Sequence, residues 1–468
     1  MPKPGRFDLM GWLRWRVAVV APLCWIFLFH LYFGGNQTVA SLLMALGLAL
    51  CVLATGAASR GRLALAELGR HWPLAIFAIS LLSLALWSLG PSGGASAMWS
   101  SVGVEPPPAT LDRSATLVEI VKFGGTFSAF VLGFLATRRR DGGKIALVAL
   151  QALALTYAVW AMSRYASRQQ FFHGGRLTGG FGSPNTAATL MAAMATICAG
   201  QVLSGLRSGY SLERWLVRVA LPGLVSLALL SGLAMTGSRA GLLFGLAGCA
   251  IVLVMALFDP KIGRIKILLL GGGGVALVVI ATASRLTQSR SVETAKAAAV
   301  RFGMLGPHWD AFKQQPLFGY GWGSFDVLNQ TLLPLSPNFN SAAQIRALHN
   351  VYLQTLVEVG GVGLASFGLI VGYVFVLAAF NWSTLGERKG LAAGVMGACL
   401  VFLAHGAVDY ALQVPSMAAQ WSWLLGALLG LGTPSAMVRR RAGHEVAPRR
   451  ARRRRSVQPE VASAPIMD

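Results

Sequence analysis

The chain is built from apolar runs, each close to 20 residues, separated by mostly short polar connections. No other feature restricts the fold as much. A helix crossing the hydrocarbon layer of a bilayer needs about 20 largely apolar residues, and only a helix or a closed barrel satisfies its own backbone there. On that rule the sequence predicts about twelve spans, near 17–34, 38–57, 72–90, 115–136, 145–163, 186–205, 217–235, 240–258, 267–284, 350–380, 391–412 and 416–432. The tenth is long enough for its first part to lie outside the hydrocarbon. The expected class is an all-α polytopic membrane protein. Composition agrees, with 55% hydrophobic and only 12% charged residues, more apolar surface than a soluble core can use.

A net charge of +23 would point to nucleic acid in a soluble chain. Its placement here argues for topology instead, and no nucleic-acid partner is expected. With the N-terminus inside, the inner connections carry Arg60, Arg62 and Arg70, then Arg138, Arg139, Arg140 and Lys144, then Arg207, Arg214 and Arg218. Lys261, Arg264 and Lys266 follow, then Arg388 and Lys389, then the tail. Roughly 28 of the 40 basic residues fall inside in this orientation. Both termini are therefore expected in the cytoplasm. The first run, behind Lys3, Arg6, Arg14 and Arg16, opens like a signal peptide but has no small-x-small cleavage site, so it reads as a retained anchor. The five cysteines stand singly in apolar runs and read as small core residues.

The expected division is a basic N-terminus over 1–16, nine spans over 17–284, a large outer loop over 285–349, three spans over 350–432 and a disordered basic tail over 433–468. The other two long outer loops cover 91–114 and 164–185. Pro106, Pro107 and Pro108 stiffen the first of them. Four glycines, Gly271 to Gly274, lie inside a run with no Lys-Ser/Thr after them, which fits close helix packing or a bend and not a phosphate loop. The tail, with Arg439 to Arg441 and Arg452 to Arg455, should lie along anionic lipid headgroups.

Several polar elements then fall on the outer side. Residues 176–188 form a glycine-rich stretch with Arg176 and Asn185 leading into the sixth span; Asn185 either caps that helix or binds a ligand. Residues 236–241 read Thr-Gly-Ser-Arg-Ala-Gly, a connection so short that Arg239 must sit at the outer headgroup level. An arginine there opposes the positive-inside bias, and the small residues beside it leave room for an anion. Residues 301–325 read as a helix carrying Arg301, followed by Pro316 and a series alternating Gly319, Gly321 and Gly323 with aromatics. Such rings either line a sugar site or pack the loop onto the bundle. His349 and Asn350 open the tenth span, and Glu358, nine residues beyond His349, faces the other way on a straight helix. His405 and Asp409 are spaced to share a helix face, as are Glu119 and Lys122. There is no Asp-x-Asp and no His/Glu cluster at metal spacing, so a diphosphate would be met by guanidinium groups instead of Mg²⁺.

Taken in order, these elements resemble the O-antigen ligase and polymerase superfamily of bacterial envelope polysaccharide enzymes. His349-Asn350 with Gly360 and Gly363 is similar to its His-Asn…Gly-x-x-Gly element. Thr236 to Gly241 is similar to Thr-x-Ser-Arg-x-Gly, and Arg301 with Pro316, Gly319 and Gly321 to Arg…Pro-x-x-Gly-x-Gly. Phe181 to Asn185 resembles the Phe-x-Asn-Pro-Asn loop, and His405 to Asp409 with Gln413 to Pro415 a late motif. Ser183, Thr186 and Leu305 depart from the usual residues. The resemblance implies a C-type glycosyltransferase-like fold with one large periplasmic loop. It implies an inverting, metal-independent, cofactor-free transfer at the periplasmic face of the inner membrane. The donor would be an undecaprenyl-diphosphate-linked glycan, and the acceptor a saccharide or the lipid A core. Arg239 and Arg301 would grip the diphosphate, and His349 or Glu358 would act as base. Arg176, Asn185, Asn350, Glu358 and Asp409 are the expected substrate-binding residues. The competing reading is a transporter or flippase, which predicts midplane charges and internal repeats that are not evident in the sequence.

Overall fold

The computed structural model describes residues 9–57, 59–91, 109–170, 175–206, 211–257, 291–332 and 346–433. Its long regular elements are all helices. The first seven are α1 (Leu9–Leu31), α2 (Thr38–Ala57), α3 (Ser59–Leu68), α4 (Trp72–Ser88), α5 (Arg113–Arg138), α6 (Arg140–Ala166) and α7 (Pro184–Gly205). Then come α8 (Leu212–Thr236), α9 (Arg239–Leu257), α10 (Ser291–Gln314), α11 (Phe325–Leu332), α12 (Val351–Phe380), α13 (Lys389–Gly406) and α14 (Pro415–Gly432).

Among the described residues seven helices are long and apolar enough to cross a membrane, or up to eight if α3 and α4, bent by 78° to one another, make one span. The seven are α2, α5, α6, α7, α8, α12 and α13. Two of the expected runs are shorter apolar helices, Trp15–Leu31 and Arg239–Met255. The last, α14, has 18 residues, and Ser416, Gln420 and Ser422 dilute its hydropathy. The run at 267–284 lies outside the described residues, as do Pro106 to Pro108, Gly271 to Gly274 and the tail beyond Thr433.

Two helices form the centre. The apolar window of α7 is 94% buried, against 22% for α12. The other central helix, α14, runs along α5 in the most extensive helix pairing of the bundle. Lipid gives helices no hydrophobic reason to associate, so close packing must supply the attraction, and small residues make it possible. A methyl group added to Gly133 would strike the Trp423 carbonyl, and one added to Gly426 would strike that of Phe130. Gly200 and Gly394 let α7 and α13 approach in the same way. At one end of α5, Arg138 is nearly buried, pairs with Glu67 and donates to the Thr433 carbonyl at 2.7 Å, which anchors the end of α14.

One break shapes the functional end. α12 is helical from Val351 to Phe380 except at Gly360, whose φ of 66° and ψ of −173° interrupt it. The groups freed there are not left unpaired. Tyr320 and Gly321 N–H donate to the Val357 and Glu358 carbonyls, both at 2.9 Å. Gly361 and Val362 N–H donate to the Pro316 and Leu317 carbonyls at 2.8 and 3.2 Å. The glycine-aromatic loop 316–324 is thereby threaded into the gap. From the other side Leu111 N–H donates to the Tyr320 carbonyl at 2.9 Å, and the Thr116 hydroxyl to that of Trp322 at 2.8 Å. The rings divide their tasks: Phe318 packs on Trp87, Phe325 on His308 and Trp322 on Phe123.

Candidate functional site

The N-termini of α7, α9 and α12 meet the C-termini of α8 and α13 at one end of the bundle. Gly237, closing α8, faces the Arg176 guanidinium; Gly241 of α9 abuts Ala188 of α7; Gly406, closing α13, abuts Val351 of α12. This is the end that carries the motifs expected on the outer side, and six of the eight expected site residues gather there: Arg176, Asn185, Arg239, His349, Asn350 and Asp409.

Arg176 is held from two directions. Its Nε donates to the Thr236 carbonyl at 2.7 Å and its terminal nitrogen to Asn185 Oδ1 at 3.3 Å. Asn185 is not the helix cap that sequence allowed. Ser183 takes that position, its hydroxyl accepting from Thr186 N–H at 3.4 Å, with Pro184 in the first turn. The Asn185 side chain is thereby free to orient Arg176. Immediately beyond Thr236, Gly237 turns the chain with φ of 59° and Ser238 caps α9 through Gly241 N–H. Arg239 then stands exposed in the first turn of α9, where the helix N-terminus adds positive potential.

The second group is His349 with Asp409. His349 Nδ1 lies 3.6 Å from Asp409 Oδ1, and its ring meets Tyr410 edge-on at 4.9 Å. Asp409 is fully buried. Burial pushes its carboxyl up, but His349, His405 and the Tyr410 N–H together outweigh that and hold it below the usual carboxylate range. α13 ends at Gly406, so Asp409 lies on the following turn; it interacts electrostatically with His405, as their spacing suggested, and also faces His349, while His405 shares a 2.5 Å hydrogen bond with Thr189. Thr189 is one turn along α7 from Asn185, and it joins the two groups.

Asn350, beside His349, caps α12, its Oδ1 accepting from Leu353 N–H at 2.9 Å. Glu358 is buried beyond the first two turns of α12, away from His349. It accepts from the Gln354 amide at 3.1 Å and from the N–H groups of Gly323 and Phe325. Near it Glu119 and Lys122 form the pair that their spacing suggested, at 2.6 Å. Arg301 belongs to α10, and its side chain is outside the described residues. Among the described residues no group of three or more His, Cys, Asp or Glu side chains gathers at metal-binding range.

Residues 224–368 match the family described as O-antigen ligase. That segment is similar to the O-antigen ligase family, in agreement with the resemblance that the motifs carry. The matched segment is just under a third of the chain and contains Arg239, Arg301, His349, Asn350 and Glu358. Arg176, Asn185 and Asp409 lie outside it and are tied to it by the contacts above. No curated protein matches the chain. The match supports an enzyme, and the long apolar helices support a multi-pass membrane protein. A transporter reading has no support.

Sequence reasoning passed over Thr189, Gln354 and Thr116. For Thr189 the i, i+4 spacing from Asn185 was the available sign; Thr116 could not be found, because its partner Trp322 is 206 positions away.

Proposed function

We propose that the protein transfers a glycan from an undecaprenyl-diphosphate carrier to a saccharide acceptor at the periplasmic face of the bacterial inner membrane, either onto lipid A core or onto another repeat unit. The carrying observation is the convergence of Arg176, Asn185, Arg239, His349 and Asp409 on one end of the bundle, around the matched O-antigen ligase segment. The basic residues of the opposite connections favour that end as the outer one. Twelve crossings with both termini inside and a C-type arrangement complete the reading.

The chemistry follows from the groups present. The acceptor hydroxyl attacks the anomeric carbon from the face opposite the diphosphate, so configuration inverts. The bond to the diphosphate oxygen breaks as the new glycosidic bond forms. The departing oxygen keeps the electron pair, and Arg239, backed by Arg176 and joined by Arg301 from the loop, meets its charge without a metal ion. The hydroxyl proton passes to His349. Asp409, buried and ionised, faces Nδ1 and leaves Nε2 for the acceptor. The 3.6 Å separation shortens as the imidazole gains charge. His349 is preferred over Glu358 as base because the Glu358 carboxylate is already engaged by three donors.

The test is Arg239→Ala, Arg301→Ala and His349→Ala, each expected to abolish assembled polysaccharide while the protein accumulates in the membrane. Normal glycan length and attachment in all three would refute the proposal. In a deletion strain, unattached full-length chains identify a ligase and single repeat units a polymerase.

A further inference from the structure

Leu348, the residue before His349, has a buried backbone N–H that α12 cannot serve, because the helix begins only beyond Asn350. Gln354 serves it instead. Its Oε1 accepts from Leu348 N–H at 3.0 Å, and its Nε2 donates to Glu358 Oε1 at 3.1 Å. Glu358 in turn accepts from the N–H groups of Gly323 and Phe325. Gln354 and Glu358 stand one helical turn apart on the buried face of α12. An unbroken line of hydrogen bonds therefore runs from the loop ahead of α11 to the chain at Leu348.

Chemistry fixes the direction of this line. An amide offers an oxygen at one end and an NH2 at the other. Turned over, Gln354 would set its NH2 against the Leu348 N–H and its oxygen against the Glu358 carboxylate. A buried site penalises both contacts, so the side chain keeps one orientation and Leu348 one place. His349 is then held from both sides. Its own N–H donates to the Ala347 carbonyl at 3.0 Å across a three-residue turn, and Asn350 caps α12. Beneath the turn, Leu348, Leu353 and Val357 pack in one apolar cluster with Met304, Phe325 and Leu328.

What this placement serves is the aim of the imidazole. Asp409 and Tyr410 stand on the turn after α13, a separate element, so their fit to His349 depends on where the start of α12 puts the ring. A displacement of about 1 Å at a reacting group can cost about a hundredfold in rate. Glu358 itself lies about 10 Å beyond the start of α12 at the helical rise, too far to share a reacting atom with His349.

We propose that Gln354 and Glu358 are positioning residues for His349: Glu358, seated by the loop, holds Gln354, and Gln354 holds the Leu348 N–H so that the imidazole faces Asp409. The assignment rests on the transferase reading, in which His349 takes the acceptor proton. It gives the buried carboxyl of Glu358 a task other than binding substrate or acting as base.

The test uses the full chain in nanodiscs, with the lipid extract of a strain lacking the gene as substrate. Gln354→Leu should lower kcat about tenfold, the equivalent of about 1.4 kcal/mol, while the half-saturating amount of substrate stays within about twofold. In an Asp409→Asn background the same change should cost less than about twofold, because no charge is left for the ring to face. A general loosening of the fold would cost the full factor in both backgrounds. Gln354→Glu should also be slow, since it sets a second carboxylate against Glu358. The paired variant, Gln354→Glu with Glu358→Gln, again gives Leu348 N–H an oxygen, puts an amide donor between the two side chains and offers a carbonyl oxygen to the loop. It should recover most of the lost kcat. Hydrogen exchange at the Leu348 amide should follow the same order, about tenfold faster in both single variants and slow again in the pair.

Unchanged kcat in Gln354→Leu, or in Gln354→Met should the first not fold, would overturn the proposal. So would a full tenfold loss on top of Asp409→Asn. A paired variant that regains Leu348 protection but not turnover would do the same, returning the Glu358 carboxylate to the role of base or ligand. Hydrogen exchange needs no turnover, so failure of the transferase reading would be recognised separately, by glycan assembly surviving in Arg239→Ala and His349→Ala.

Discussion

Gly360→Ala is the most informative single change in this fold. At φ 66° and ψ −173° the backbone adopts a conformation nearly restricted to glycine, and any other residue held there pays about 1–3 kcal/mol. The added methyl would also meet Phe318 N at 2.5 Å and run into the Leu317 carbonyl. The alternative is for α12 to straighten through residue 360, which expels loop 316–324. That forfeits four backbone hydrogen bonds between loop and helix, about 1 kcal/mol each, against which the regained helical bonds offset a part. Either route costs about 3 kcal/mol locally, or roughly a hundredfold in the opening equilibrium. Hydrogen exchange in nanodiscs reads this directly. The amides of Tyr320, Gly321, Gly361 and Val362 should lose protection by about that factor, while those of α7 are unchanged. Gly368→Ala is the control, because a methyl group there meets nothing within 4 Å and α12 is helical around it. Unchanged protection at all four amides in a folded Gly360→Ala protein would refute the interlock. Glycan transfer should fall as well, because Gly323 and Phe325 hold Glu358 from the same loop.

Asp409→Asn keeps the shape of the site but removes the charge facing His349, and transfer should fall about a hundredfold with little change in donor affinity, as single-turnover kinetics would show. The same carboxyl predicts a pH dependence. Because the folded protein holds it below its ordinary value, its contribution to stability is complete above the unfolded pKa of about 3.9 and lost as pH falls through the lower folded one. The difference in thermal midpoint between wild type and Asp409→Asn should be constant from neutral pH to about pH 5 and close only in stronger acid. Arg138→Ala removes the partner of Glu67 and a donor to the Thr433 carbonyl, and should lower stability by about 2 kcal/mol, read as a drop in melting temperature in detergent, without altering transfer by the folded enzyme.

What the sequence disclosed and what it concealed divide along one physical line. Periodicity and charge act locally, so the helical class and the Glu119–Lys122 pair could be read from runs and spacings. Contacts set by where a helix stops could not. Asp409 is four residues from His405 and interacts with it as the spacing suggested, but because α13 ends at Gly406 the carboxylate also faces His349, 60 positions away in the chain. Asn185 has the composition of a cap, and Ser183 takes the position because Pro184 fits the first turn behind it. Gly360 looked like part of a motif, but its reason is the Leu317 carbonyl that occupies the place of its missing side chain. In each case the contact depends on an interruption of regular structure. A membrane helix can tolerate an interruption only where another segment takes up the freed backbone groups. Loop 316–324 does so for α12, and Gly323 of that loop also donates to Glu358, so the setting of that buried carboxyl depends on the same break.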